Sequence, residues 1–392
     1  MNHKESRDET IEKYKYNPFL VFLVVFFCCI DLSAPLVIYG TQLIFICLIA
    51  IYLIVVKKTL HCNLVQVLFL ISALFLSTAA SYYQQTYLMH QELLIKQYSR
   101  VTLWIVYGWI AFLFLRTQSV ASIAKALKWI VAIMSTSVII QVFAYYFMGG
   151  IVVDYSLIIG GESSRILFDV FRPAGLTSEP AIYSAILIGL LSIYFILVRK
   201  INYVIFIGAG SVLLTQSIAG IIMTGLFFLT VILSRPTIMK FSFMLVVCMS
   251  LIIAVAPLLE NRYERFMNGN DTSNNTKIET FENMLKTDAL LYTGYGFVGK
   301  SKSAPAFYEG LYDVTLWGAN IVTYGIPIGI TLNLAMLIFI IRIPIDFTGK
   351  ILIMISLLKI TSPMFIFFNV FISLVFVING YDRAKLKPVC TI

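Results

Sequence analysis

The stretch Arg172-Pro-Ala-Gly-Leu-Thr-Ser-Glu-Pro180 leads directly into the apolar run 181–198. A run of this length crosses a lipid bilayer as an α-helix, because about 20 residues rising roughly 1.5 Å each match the hydrocarbon core. Pro180 suits the first turn of that helix, where its missing N–H removes no hydrogen bond. The stretch therefore predicts a membrane helix that begins beside an arginine and a carboxylate.

Apolar runs of similar length recur along the chain of 392 residues, which is 59% hydrophobic and only 12% charged. Soluble domains average about 25% charged residues. Long apolar runs without strand-like alternation select helices, because lipid offers no partner to unpaired backbone groups. The sequence predicts an all-α, polytopic integral membrane protein with about twelve transmembrane helices, in a range of roughly 10–12. The predicted spans are 18–37, 40–56, 64–80, 101–115, 128–148, 181–198, 201–215, 218–234, 241–259, 314–341, 351–361 and 364–379.

The positive charge of the chain follows this predicted topology. A cytoplasmic N-terminus gives an N-terminal tail at 1–17, a membrane domain at 18–380 and a cytoplasmic C-terminal tail at 381–392. Most lysines and arginines then lie on the cytoplasmic side, as the positive-inside rule expects. The net charge of +9 is therefore a topology signal and does not indicate a nucleic-acid partner.

Two segments decide how the spans are counted. The apolar stretch 201–234 has basic residues at both ends, which predicts a helical hairpin that turns near Gln216 and Ser217. The stretch 351–379 fits either two spans or one broken span, and the basic residues that follow it favour two.

Two external loops, 149–180 and 260–313, carry the polar residues of functional interest. In the larger loop, Ile278, Phe281 and Leu285 recur at helical spacing, which predicts a short amphipathic helix on the outer membrane surface. No metal or cofactor site is predicted, because the three histidines form no zinc motif and the six cysteines form no CxxC pair.

The candidate site lies where the loop 149–180 meets the membrane. The exposed N–H groups and the dipole of the following helix favour an anion there. Arg172 supplies a guanidinium suited to a phosphate or pyrophosphate, and Gly175 allows the chain to turn back. Either Ser178 or Glu179 can cap the helix, and Glu179 can alternatively take a proton from a sugar hydroxyl.

Two arginines and one aspartate complete the candidates. Arg262 and Arg265 begin the large loop and form the second half of a predicted basic clamp. The neighbouring Glu260 and Glu264 leave open a self-paired, solvated face instead. Asp31 falls within the first predicted span, where a carboxylate is costly and therefore a functional candidate.

Four features occur in a fixed order along the chain. They are the stretch 172–180, the hairpin Leu214-Thr-Gln-Ser-Ile-Ala-Gly220, the arginines Arg262 and Arg265, and Leu290-Leu-Tyr-Thr-Gly-Tyr-Gly296. This layout resembles the Wzy-type O-antigen and exopolysaccharide polymerases, within the wider group of O-antigen polymerases and ligases. The first feature is similar to their R-x-x-G-x-x-x-E-P loop motif, and the second to their S-x-x-G hairpin.

The resemblance implies a polymerase of bacterial surface polysaccharide, whether O-antigen, capsule or exopolysaccharide. Such a glycosyltransferase lies in the bacterial cytoplasmic (inner) membrane and uses undecaprenyl-pyrophosphate-linked repeat units at its outer face, without a cofactor. Carried over to this chain, Glu179 and Arg172 are the catalytic residues. Arg172, Arg262, Arg265, Gly175 and Ser178 bind the pyrophosphate or glycan. The implied partners are the lipid-linked oligosaccharide, membrane lipid, a chain-length regulator and a flippase.

Two other classes of protein fit the same layout. An O-antigen ligase-like transferase relies on a histidine in its large loop, and residues 260–313 contain none. A flippase or other transporter of lipid-linked oligosaccharide concentrates polar residues at the membrane midplane. Here the polar residues are concentrated in the two external loops, which favours the polymerase.

Overall fold

The fold is seen in a computed structural model that describes residues 17–56, 64–87, 91–161, 171–234 and 315–381, together with single positions between 256 and 297. Within these residues the chain is helical and contains no β-strand. The extended pairing found there is an isolated parallel bridge between Asp31 and Thr177. The predicted all-α class is confirmed for this part of the chain.

The described helices are numbered here in chain order. They are α1 (Pro18–Cys29), α2 (Pro35–Ile51), α3 (Leu64–Tyr87), α4 (Gln91–Leu115), α5 (Val120–Phe147), α6 (Tyr155–Ile158), α7 (Pro180–Val198), α8 (Tyr203–Leu214), α9 (Ile218–Leu233), α10 (Leu316–Arg342), α11 (Phe347–Ser356) and α12 (Ile366–Asn379). A π-helical turn, Tyr52–Val56, continues α2. Five of the described helices contain segments long and apolar enough to cross a membrane: Val37–Val55, Ile95–Leu115, Val120–Phe147, Pro180–Val198 and Leu316–Arg342.

Five predicted spans coincide with helices to within two residues at both ends: 181–198, 201–215, 218–234, 314–341 and 364–379. Helices α4 and α5 begin about ten and eight residues before the predicted spans 101–115 and 128–148. The number of about twelve spans stays a prediction, because the other apolar helices are shorter than a membrane span. The predicted span 241–259 lies outside the described residues apart from Ala256. At the C-terminal end α11 and α12 are separate helices, so the stretch 351–379 is not one continuous helix.

The first predicted span, 18–37, is wrong as a continuous helix. Helix α1 ends at Cys29, Ile30 is extended, and α2 begins only at Pro35. Proline lacks the N–H that a helix interior needs and disfavours a helical conformation in the residue before it. Asp31 therefore lies in the connection between two helices and not within a span.

Helix α7, the helix that follows the quoted stretch, lies at the centre of the bundle. Its apolar window is 83% buried inside the protein, whereas the corresponding windows of the other four long helices are between 22% and 44% buried. It packs against α5, α8, α9 and α11. A helix that is apolar on every side is expected to be enclosed by other helices. Sequence 181–198 therefore forms a core around which α5, α8, α9 and α11 pack.

Hydroxyl groups join α7 to its neighbours inside the bundle. The hydroxyl of Tyr183 lies 2.7 Å from Oγ of Ser211 in α8. Oγ of Ser356 in α11 donates to Oγ of Ser192 at 3.1 Å. Such hydrogen bonds between membrane helices fix their rotation, because an apolar surface alone specifies no register.

The predicted hairpin over 201–234 is confirmed. Helices α8 and α9 are joined by Thr215, Gln216 and Ser217 and pack against each other. Oγ of Ser184, in the second turn of α7, lies 3.4 Å from Oγ1 of Thr215. The tip of the hairpin is therefore level with the start of α7. The end of the bundle that carries this tip and residues 171–179 is called the loop end below.

Candidate functional site

The loop 171–179 is held against α5 by the buried side-chain amide of Gln141. Its Oε1 accepts hydrogen bonds from the backbone N–H of Ala174 at 3.0 Å and of Gly175 at 2.8 Å. Its Nε2 donates to the backbone oxygen of Val153 at 2.9 Å. One side chain thus satisfies three backbone groups that would otherwise be buried without partners. The sequence analysis missed Gln141; a glutamine in a span was the available signal.

Gly175 makes the tight approach of this loop to α5 possible. Its φ of +54° lies in the left-handed region. A Cβ atom at this position would lie 2.5 Å from Oγ of Ser137 and 3.0 Å from the ring of Tyr183. The predicted role of Gly175 in turning the chain is confirmed, and the close packing gives a second reason for glycine here.

Arg172 reaches from the loop to the hairpin tip. Its Nη2 donates a hydrogen bond to the backbone oxygen of Gln216 at 3.2 Å. Gln216 has a φ of 53°, a conformation that is costly for a residue other than glycine. The structure thus brings together the first two sequence features, the loop stretch and the hairpin.

The helices that follow these two features start side by side. Gly220 of α9 packs directly against Ser184 of α7, so both N-termini lie at the loop end. Ser217 caps α9, its Oγ accepting from the backbone N–H of Gly220 at 3.3 Å. The positive ends of two helix dipoles therefore lie close to the Arg172 guanidinium. This concentration of positive potential favours an anion.

Glu179, one of the two predicted capping residues, occupies the N-cap position of α7, but its side chain makes no capping hydrogen bond. Glu179 is an exposed residue. Ser178 donates its hydroxyl to Oδ2 of Asp31 at 2.9 Å. Pro180 at the first helical position removes one N–H that a cap would otherwise serve.

Asp31 anchors the loop to the connection between α1 and α2. Besides accepting from Ser178, it donates its backbone N–H to the oxygen of Leu176 at 3.1 Å. Burial raises the pKa of Asp31, while the hydrogen bond from Ser178 and the positive charge of Arg100 act in the opposite direction. The sequence analysis singled out Asp31, and the structure gives it a contact that the sequence could not predict.

The fourth sequence feature packs against a break in α10. Gly294 and Gly296 have positive φ angles, as the predicted turn requires. The backbone N–H of Tyr295 donates to Val322 at 2.7 Å, and that of Gly296 donates to Thr323 at 2.9 Å. These oxygens are available because α10 is interrupted at Gly325. The end of the large loop is thereby paired to the broken helix.

Other predicted parts of the site lie outside the described residues. Arg262 and Arg265 are among them, so the second half of the basic clamp stays a prediction. The amphipathic helix is described only at some positions; Ile278 is helical, while Phe281 and Leu285 are not described. In the parts of the chain that the structure does cover, no cluster of histidine, cysteine or acidic residues suited to a metal occurs.

These observations define an all-helical membrane protein in which a polar loop is fixed against a helical hairpin. No protein-family model matches the sequence, and no curated protein matches it. The likeness to O-antigen polymerases therefore rests on the quoted features alone.

Proposed function

We propose that this protein is a bacterial surface polysaccharide polymerase that transfers glycan from undecaprenyl-pyrophosphate-linked repeat units at the loop end of the bundle. One observation carries the proposal: the Arg172 guanidinium lies at the hairpin tip, beside the N-termini of α7 and α9. In the family that the sequence resembles, the corresponding loop and hairpin motifs serve this reaction. Their contact here gives the resemblance a physical basis.

The leaving group explains the need for positive potential. As the glycosidic bond to the carrier breaks, the pyrophosphate oxygen keeps the electron pair and gains negative charge. A guanidinium binds such an oxyanion through paired hydrogen bonds, and fixed helix dipoles stabilise it further. Arg172 is well suited to this role because its contact with Gln216 fixes it at the loop end.

Glu179 is the proposed general base. The acceptor sugar hydroxyl attacks the anomeric carbon, the new bond forms to its oxygen, and the proton passes to the carboxylate. Glu179 is exposed and directly precedes Pro180, and its side chain does not cap α7. The carboxylate is therefore placed at the surface from which an acceptor glycan would approach.

The test is complementation of a host that lacks its own polymerase and carries the genes for a matching repeat unit. Surface glycan is separated on a gel for the wild type, Arg172→Ala and Glu179→Gln at equal protein levels. Arg199→Ala is the matched control for the arginine, because Arg199 lies at the opposite end of α7 in an ion pair with Asp346. Glu282→Gln is the control for the exposed carboxylate.

The expected result is a ladder of repeats with the wild type and both controls, and a single repeat unit with the two site variants. If the ladder persists in both site variants, the polymerase proposal stands, but the assignment of Arg172 and Glu179 to its site fails. If the wild type adds no ladder to a host that displays the single unit, the polymerase proposal fails for that glycan.

A further inference from the structure

Arg100 is a charged residue that the structure places within a membrane-length apolar helix segment, one residue before the predicted span 101–115. It lies in α4, inside the apolar segment Ile95–Leu115. Arginine in such a segment is costly and usually marks a functional site or a paired charge. Its guanidinium lies 5.0 Å from the ring centre of Tyr39 in α2. Arg100 is half-buried, so part of its surface stays accessible.

The surroundings of Arg100 link the two loops of the proposed site. Its charge acts on Asp31, which accepts the hydrogen bond from Ser178 in the motif loop. The next residue, Val101, packs in a buried cluster with Phe297, which directly follows the large loop's glycine turn. Arg100 therefore lies at the loop end, between the anchors of the first and fourth sequence features.

One guanidinium nitrogen of Arg100, Nε, is buried and has no hydrogen-bond partner among the described residues. Two further polar atoms on the same face of α4, Oε1 of Gln97 and Nε1 of Trp104, also lack partners there. Both side chains are more than nine-tenths buried, with exposed fractions of 8% and 1%. A buried polar group without a partner is costly, so a ligand that supplies one is favoured.

A second arginine of the same helix region provides the contrast. Arg116, directly after α4, also lies over an aromatic ring, that of Phe112, at 5.8 Å. Its Nη1, however, donates to Oε1 of Gln66 at 2.9 Å. A stacked arginine in this protein can therefore be satisfied by a neighbouring side chain. Arg100 has the stacking without the hydrogen bond, which indicates a missing anionic partner.

We propose that Arg100 binds the pyrophosphate of the polyprenyl carrier, as a second guanidinium of the site that contains Arg172. The inference rests on the proposed function for the choice of carrier. Asp31 is a nearby negative charge on which Arg100 acts, but the two described side chains form no ion pair. An arriving pyrophosphate supplies oxygen acceptors to the guanidinium.

The test measures binding of farnesyl pyrophosphate to the purified full-length protein by titration calorimetry, with farnesol as the phosphate-free comparison. Arg100→Gln should weaken binding of the pyrophosphate about tenfold and leave farnesol unaffected, because the charge-assisted hydrogen bonds are lost. Arg116→Gln should stay within about twofold of the wild type. If Arg100→Gln and Arg116→Gln change pyrophosphate binding equally, or if neither changes it, the proposal is overturned.

Asp31→Asn separates ligand binding from a purely structural role of the two neighbouring charges. Asparagine keeps an oxygen acceptor for Ser178 but removes the competing negative charge. Pyrophosphate binding should then become about threefold tighter. If Asp31→Asn instead weakens binding as much as Arg100→Gln does, the pair is structural and the proposal fails. This substitution also serves as the test if Arg100→Gln does not fold.

The two proposals can fail separately. Binding of farnesyl pyrophosphate needs no glycan, so it remains measurable in a protein that builds no ladder. An Arg100 that recognises an acidic sugar instead would leave binding of farnesyl pyrophosphate unchanged in Arg100→Gln, and glucuronate binding would fall. That outcome would overturn the assignment to the carrier while leaving the polymerase proposal in place.

Discussion

The guanidinium of Arg172 donates a hydrogen bond to the backbone oxygen of Gln216, a residue 44 positions further along the chain. The bond joins a polar loop to the tip of a helical hairpin. It also holds Arg172 beside two helix N-termini, where an anion is favoured. The arrangement depends on the left-handed conformation of Gln216, which belongs to the turn between α8 and α9.

Arg172→Lys should lower polymer formation by about tenfold or more while changing stability little. Lysine keeps the positive charge but lacks the planar fork that holds both Gln216 and a pyrophosphate. Glycan ladders and thermal unfolding in detergent are the two measurements. A ladder of normal length and intensity with lysine would show that charge alone is sufficient at this position.

Gly175→Ala should destabilise the protein by about 1–3 kcal/mol, because alanine at positive φ is strained and its Cβ meets Ser137. Thermal unfolding in detergent measures the effect. Gly210→Ala is the matched control, since Gly210 lies in α8 with nothing within 4 Å of the added Cβ. Alanine favours a helix, so this control should be neutral or slightly stabilising. Equal losses in both variants would contradict the account of Gly175.

Gln141→Leu should cost about 2–4 kcal/mol although the two side chains are similar in size. The substitution leaves the backbone N–H groups of Ala174 and Gly175 buried without an acceptor. We expect a lower unfolding temperature and faster proteolysis of the loop 171–179. Unchanged proteolysis would mean that the loop keeps its position without the Gln141 amide.

Gly325→Ala should be among the most destabilising single changes in α10. The φ of Gly325 is +80°, and an added Cβ would collide with the backbone oxygen of Tyr292. Neither partner can move without breaking the pairing of the loop to α10, so a loss of several kcal/mol is expected. Gly225→Ala in α9, where the added atom meets nothing within 4 Å, is the control in the same unfolding assay.

The ion pair between Arg199 and Asp346 should make stability depend on acidic pH. Burial alone would raise the pKa of Asp346. The hydrogen bond and the charge of Arg199, together with the backbone N–H of Gly349, outweigh burial and bring this pKa below its ordinary value of 3.8. A carboxyl group whose pKa is lower in the folded than in the unfolded protein stabilises the fold at pH values above its unfolded pKa. This stabilisation is lost as the pH falls through the folded pKa. The contribution stays below about 1 kcal/mol, because Asp346 is half exposed.

Unfolding temperatures of the wild type and Asp346→Asn, measured between about pH 3 and 7, provide the check. The two proteins should differ by a constant amount above about pH 5 and converge below about pH 4. A difference that persists at the lowest pH would assign the stabilisation to packing and not to the charge.

Much of the helical architecture could be predicted from the sequence. Continuous apolar runs select helices in lipid, and the basic residues around 201–234 require a turn that the structure places at Gln216. The failure at 18–37 came from an apolar run that continues across Pro35. Hydropathy does not register that a proline starts a new helix at this point, after α1 has ended at Cys29.

The sequence by itself determined the all-helical, membrane character of the described chain, the hairpin and the glycine turns, because these depend on local composition and backbone preference. Only the tertiary structure decided which side chains meet. The contacts of Gln141 with the loop, of Asp31 with Ser178 and of Arg172 with Gln216 join residues far apart in the chain. Apolar packing alone leaves the rotation of each helix and its position along the bundle nearly free. These few polar contacts therefore fix the register, and no local sequence pattern predicts them.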